Sequence, residues 1–248
     1  MENLKDILVV TGANGVSGGK PGGAKLWTAR FAILAWKEIG CKIVIEERNL
    51  SQKVNDEKLR ELQEQIRENN VYRLRITDDG NNFELQEFIG EAKDSELESF
   101  LAEQIKPVYF PDERFGQFEF NRSVGWFECK TDWLGQNIGL SIESDEAGMK
   151  EMLETVYILF DNQTEWDKKI RVFACGELLE LKNDSWLDED EKELTSEMFK
   201  KRIVLQSINI SEDREFIFWF DDDDIFWGHS IYVSGNLAEG LSEAEIAG

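Results

Sequence analysis

The order of elements along the chain predicts an α+β protein of two domains. Strand-like segments, then helix-like segments, then strands again fill the second half, which argues for helices packed on one antiparallel sheet. The first half is strand-rich with two helical stretches. Pro107 and Pro111, two of the three prolines in 248 residues, fall together between the halves. They place a boundary between a small β-rich N-terminal domain, 1–106, and a C-terminal α+β domain, 107–248.

In the first domain Ile7 to Thr11 reads as a strand, followed by TGANGVSGGKPGG. Gly12, Gly15 and Gly18 imitate the glycine spacing of nucleotide-binding reductases. That chemistry needs a helix opening on the glycines, whose free amides meet a pyrophosphate. Here Lys20-Pro21-Gly22-Gly23 stands where the helix would run, and proline and paired glycines break helices. No tyrosine is followed four residues later by lysine, and Lys20 is followed by Pro21 rather than the hydroxyl residue of a Walker loop. The stretch therefore reads as a flexible hairpin loop, and no cofactor-binding motif remains. Beyond it Trp27, Ala29, Phe31, Ile33 and Ala35 alternate onto one strand face. Lys42 to Glu46 continues in strand pattern. Leu59, Leu62 and Ile66 give helical spacing over 56–68. Val71 to Thr77 places Tyr72, Leu74 and Ile76 inward, with Arg73 and Arg75 outward. Asp79-Gly80 marks a turn before a strand from Phe83 to Ile89. Leu97, Phe100, Leu101 and Ile105 lie along a second helix, 94–105.

The second domain opens with strands FGQFEFN, VGWFECK and GLSIES, the last after a Trp133-Leu134-Gly135 turn. Ser144 is placed to cap a helix carrying Met149, Met152, Leu153, Val156 and Phe160. Thr164 to Asp167 has the form of a capping box for a second helix. Its stripe runs Trp166, Ile170, Phe173, Ala174, Leu178 and Leu181. WLDEDEKE reads as a solvated connection. Thr195 caps a third helix, with Leu194 and Phe199 as a staple. Strands 202–210, 215–220 and 225–233 close the domain.

That last pair holds the candidate functional residues. EFIFWF and IFWGHSIYV flank Asp221, Asp222, Asp223 and Asp224, and the only histidine, His229, falls in the second strand. Alternation puts Ile225, Trp227, His229, Ile231 and Val233 on one face. Both faces of both strands carry apolar bulk, which predicts a sheet covered on both sides. Aspartate suits turns because its carboxylate accepts backbone amides. An EF-hand loop counted from Asp221 would need glycine at Phe226 and glutamate at Tyr232, so that site is excluded. A looser cation site of Asp221 and Asp223 with His229 stays open, as does acid–base chemistry by His229 with Asp221–Asp224 and Glu128, which sequence spacing alone does not bring together. The bland alternative is a neutral core histidine with one nitrogen hydrogen-bonded.

Composition narrows function further. With 51 acids against 28 bases the net charge is −23. Such a surface repels nucleic acid and anionic membranes and steers basic partners. Cys41, Cys129 and Cys175 are odd in number and in no metal-ligand spacing, so they read as reduced thiols. No apolar run is long enough to span a bilayer, and MENLKDILVV has no signal-peptide form. Together these point to a cytoplasmic protein.

Several features in the second half coincide: the strands at Phe115–Glu128, Trp133-Leu134-Gly135, Trp166-Asp167, Leu194-Thr195 with Phe199, and the Asp-rich ending Trp227-Gly228-His229 closing at Ile246-Ala247-Gly248. On these the segment from about Phe115 to Gly248 resembles the bacterial family named domain of unknown function 2262. Many relatives carry a glycine within the acidic turn where this chain has four aspartates. The first half is similar to the domain that often precedes it. The resemblance implies a shared fold and brings no catalytic residues. The leading expectation is thus a non-catalytic interaction module, an immunity-type or regulatory partner of a basic protein. The alternative is a metal-dependent or acid–base hydrolase built on Asp221–Asp224 and His229. Small-ligand binding between the domains is a third reading, with no residue to select the ligand. Oligomeric state is not selected either.

Overall fold

The computed structural model describes residues 3–80 and 82–248. The chain divides into two compact units, Met1–Lys106 and Pro107–Gly248. Both are mixed α and β.

In the first unit the strands are β1 (Asn3–Thr11), β2 (Ser17–Gly19), β3 (Trp27–Glu38), β4 (Val44–Val54), β5 (Val71–Asp78) and β6 (Phe83–Glu91). They run in the order β1-β5-β6-β4-β3-β2, and β1 also pairs with β3, so five of them close into a barrel. All pairings are antiparallel except β4 with β6. The inward positions Ala29, Phe31, Ile33, Tyr72, Leu74 and Ile76 fill the interior, as alternation predicts. Arg73 and Arg75 point outward onto Asp6 at 2.8 Å each. Helix α1 (Asp56–Gln65) is capped by Asn55, which accepts the Lys58 amide, and buries Leu59 and Leu62 against the barrel. Helix α2 (Ser95–Gln104) is capped by Asp94 and buries Leu97 beside Val10, Ala35 and Val71. A closed ring of five strands, with one parallel pair and a helix between the third and fourth ring strands, is the plan of an OB-type barrel.

The glycine-rich stretch turns back as a β-hairpin arm, in keeping with the hairpin expected there, since Ser17–Gly19 pairs with Thr28–Arg30. At Gly18 the arm lies close on α1: a Cβ there would lie 2.6 Å from Leu59 Cδ2, so the tip of that leucine would have to shift. β4 also extends eight residues past Glu46, to Val54.

The second unit is one eight-stranded sheet in the order β14-β13-β12-β11-β10-β9-β8-β7. Its strands are β7 (Tyr109–Asp112), β8 (Gly116–Asn121), β9 (Trp126–Trp133), β10 (Gln136–Ile142), β11 (Val204–Ile210), β12 (Glu215–Asp221), β13 (Ser230–Asn236) and β14 (Gly240–Ala247). Two four-stranded meanders meet at the one parallel pair, β10 with β11. The helices α3 (Met149–Asp161), α4 (Gln163–Ser185) and α5 (Ser196–Arg202) fall in the chain between those two strands. Trp133-Leu134-Gly135 makes the β9–β10 turn, with Leu134 and Gly135 at φ of 54° and 87°.

The sheet is covered on one face, not on both as its aromatic content predicts. Phe216, Phe218, Phe220, Ile231 and Val233 are buried with the helices' apolar residues, each phenylalanine contributing about 2–3 kcal/mol. Ile217, Trp219 and Tyr232 on the other face are only half-buried, and the last two rings lean together at 5.3 Å.

Two helix starts also differ. Gly148, not Ser144, precedes α3, because Asp145 takes the amides of Ala147 and Gly148 in a turn of its own. α4 begins at Gln163, so Thr164 to Asp167 lies inside the helix, where Asp167 pairs with Arg171. Leu181 is exposed, and the stripe's true last member is Lys182, fully buried. Thr195 does cap α5, accepting the Met198 amide at 3.2 Å, with Leu194 and Phe199 both buried.

Candidate functional site

The acidic turn is ordered by its second aspartate. Asp222, 2% exposed, points inward and accepts the backbone N–H of Asp224 at 3.1 Å and of Phe226 at 2.6 Å. Asp221 accepts the Asp223 amide at 2.8 Å. From the end of α5, Arg202 donates to the Asp223 carboxylate at 2.9 Å and to its carbonyl. This wraps residues 222–229 into a turn, so the strand predicted at 225–233 begins only at Ser230. Its alternation fails because neighbours Ile225 and Phe226 are both buried while Trp227 turns outward.

Asp223, Asp224, Trp227 and Gly228 adopt positive φ of 47°, 63°, 58° and 81°. Non-glycine residues hold such values only where surroundings over-determine them, and such strain gathers at functional sites. Trp227 is 55% exposed, yet its ring leans on Trp186 at a tilt of 52°, centroids 4.7 Å apart. Trp186 in turn meets Phe226 and His229 edge-on at 5.5 and 5.4 Å.

His229 lies in the turn, half-buried. Its Nδ1 is 2.6 Å from the Phe226 carbonyl, which only accepts, so Nδ1 carries a proton and donates it there. Gly248 lies against the ring: a Cβ there would come within 2.5 Å of His229 Cδ2.

Beneath the platform sits the residue that sequence reasoning missed. Lys182 Nζ, with no exposed side-chain surface, donates to the Trp186 carbonyl at 2.7 Å and to Glu191 at 2.6 Å. Lys182 holds the Glu191 carboxyl below its ordinary range. WLDEDEKE is therefore anchored at Trp186 and Glu191, while Asp188, Glu189 and Asp190 stay exposed. The clue was a lysine at Ile170 plus twelve, on the apolar stripe of α4.

Of the residues singled out from sequence, Asp221 to Asp224, Trp227, Gly228 and His229 form one local turn, with Asp222 buried inside it. Trp133 and Trp166 belong to the core instead: Trp133 meets Phe160 and Phe218, and Trp166 meets Phe216. Of these three tryptophans only Trp227 is exposed. Glu128 is on β9, with β10 and β11 between it and β12, and its register row reaches β12 at Ile217, not Asp221. Among the described residues no group of three His, Cys, Asp or Glu converges in metal-holding geometry. Cys41, Cys129 and Cys175 are free thiols, and burial pushes Cys129 up to about 12. Among the described residues no helix is long and apolar enough to cross a membrane.

What this surface offers chemically is a flat, electron-rich ring fixed in place and bordered by exposed carboxylates. Tryptophan is the strongest of the aromatic faces for a guanidinium or ammonium group. The family model described as "Uncharacterized protein conserved in bacteria (DUF2262)" matches residues 112–246. A second, "Domain of unknown function (DUF7021)", matches residues 2–104. No curated protein matches the chain.

Proposed function

The chain belongs to the bacterial family DUF2262, and on that premise we propose that it is a non-catalytic docking protein whose Trp227 turn receives a basic segment of a partner protein. The observation that carries this is Trp227 itself, exposed while its strained backbone is held by a buried aspartate and its ring by Trp186. An aromatic anchor fixed before binding loses little entropy on docking, and interface hot spots favour tryptophan. Asp221, Asp223, Asp224 and the Asp188–Asp190 run supply charge opposite to the partner's. The net charge of −23 adds steering over longer range.

Affinity capture from the native host tests this, with wild type and Trp227→Ala as baits at low and moderate salt. A basic protein held by wild type, released by salt and lost from Trp227→Ala supports the assignment. Identical captures by both baits overturn it.

A further inference from the structure

The N-terminal barrel carries a second surface, unrelated to the Trp227 turn. A cavity of about 470 Å³ opens where the glycine-rich arm, the outer face of β3 and β4, and the β5–β6 turn come together. Its polar lining is Asn14, Ser17, Arg30, Asn49, Ser51 and Asn82, over a floor of Phe31 and Ala32. In a chain with 51 acids, none of these residues is a carboxylate. A second hollow of about 550 Å³ shares Ser51 and Asn82 and continues the groove past Thr77, Asp78, Asp79 and Glu84.

In ring order β3 and β4 are the second and third strands of the OB-type barrel. The segment 12–26 joins the first ring strand to the second, and 79–82 joins the fourth to the fifth. That face and those two connections are where barrels of this plan bind oligosaccharides or oligonucleotides. The likeness is one of architecture, and the local chemistry selects between the two ligands. Single-stranded nucleic acid needs a basic track and exposed rings on which bases stack. The groove has one cation in its lining, Arg30, and carboxylates at its far end. Its two rings, Phe31 and Phe83, are 5% and 1% exposed, so neither offers a stacking face. Carboxamides and hydroxyls each donate and accept, a carboxylate accepts and a guanidinium donates. Such a lining matches the hydroxyl groups of an uncharged sugar chain.

We infer that this groove is a binding site for a short neutral oligosaccharide lying across β3 and β4, between the glycine-rich arm and the β5–β6 turn. Arg30 and Asn49 are exposed, lie on the barrel's outer face and contribute nothing to its interior. Their replacement tests binding without emptying the core.

The experiment is calorimetric titration of the full chain with neutral tri- to pentasaccharides of glucose, galactose, mannose and N-acetylglucosamine, beside an oligothymidylate. The expected result is saturable binding of at least one sugar, weakened tenfold or more in Arg30→Ala/Asn49→Ala at an unchanged melting temperature. The inference is overturned if no sugar binds, or if the double variant binds as tightly as wild type. Salt-sensitive binding of the oligothymidylate alone would overturn it in favour of nucleic acid.

Discussion

The Asp222 carboxylate accepts the Phe226 amide at 2.6 Å from inside the turn that Phe226 closes. The next residue, Trp227, is thereby turned outward with φ of 58°. A buried acceptor that loses its charge leaves one amide unpaired. Asp222→Asn therefore costs about 1–3 kcal/mol, and Asp222→Ala more. Urea unfolding measures both. An Asp222→Ala variant as stable as wild type would mean that the turn does not depend on this carboxylate.

Asp224 makes the opposite prediction. Its φ of 63° is strained for an L-residue and natural for glycine. Asp224→Gly is expected to gain up to about 0.5 kcal/mol, and Asp224→Val to lose roughly 1–2 kcal/mol. Thermal melting of the two variants separates backbone strain from loss of charge, since both remove the same carboxylate.

Lys182 and Glu191 should respond asymmetrically. Glu191→Gln strands a buried ammonium and costs about 3 kcal/mol or more, whereas Lys182→Met removes the charge itself and costs less than half as much. Equal losses in denaturant melts would show that the pair matters through packing rather than charge.

The same pair sets a pH dependence. The Glu191 carboxyl is held below its ordinary value of 4.5 by the hydrogen bond from Lys182. The unfolded chain thus binds this proton more readily than the folded one, and the pair's contribution is complete above about pH 5. It is lost as pH falls from there through the lowered folded value. The stability difference between wild type and Glu191→Gln should shrink as the pH is lowered from about 5 through that value. A constant difference over that range would remove Glu191 from the account.

Much of the fold is legible because burial imposes short periods. Tyr72, Leu74 and Ile76 alternate in β5, and Thr195 with Phe199 marks the start of α5. What stayed hidden depends on distant partners. The β1–β3 pairing that closes the barrel joins Ile7 to Glu38, and no local pattern announces it. At the candidate site the aspartates and Trp227 stand out in sequence. Their apolar neighbours mimic a strand, because only the inward turn of Asp222 decides that Ile225 and Phe226 are both buried. Of Lys182 only the place on the α4 stripe was readable: its partners, the Trp186 carbonyl and Glu191, become a pocket only after the chain folds back.

The most direct test of the docking role is the affinity of Trp227→Ala for the basic partner that wild type captures. The side chain is half in solvent, so its removal should change stability by less than about 1 kcal/mol. Affinity should nevertheless fall at least about tenfold, the loss expected of a central aromatic anchor. A folded Trp227→Ala protein that binds that partner with undiminished affinity would contradict the claim that this turn is the docking surface.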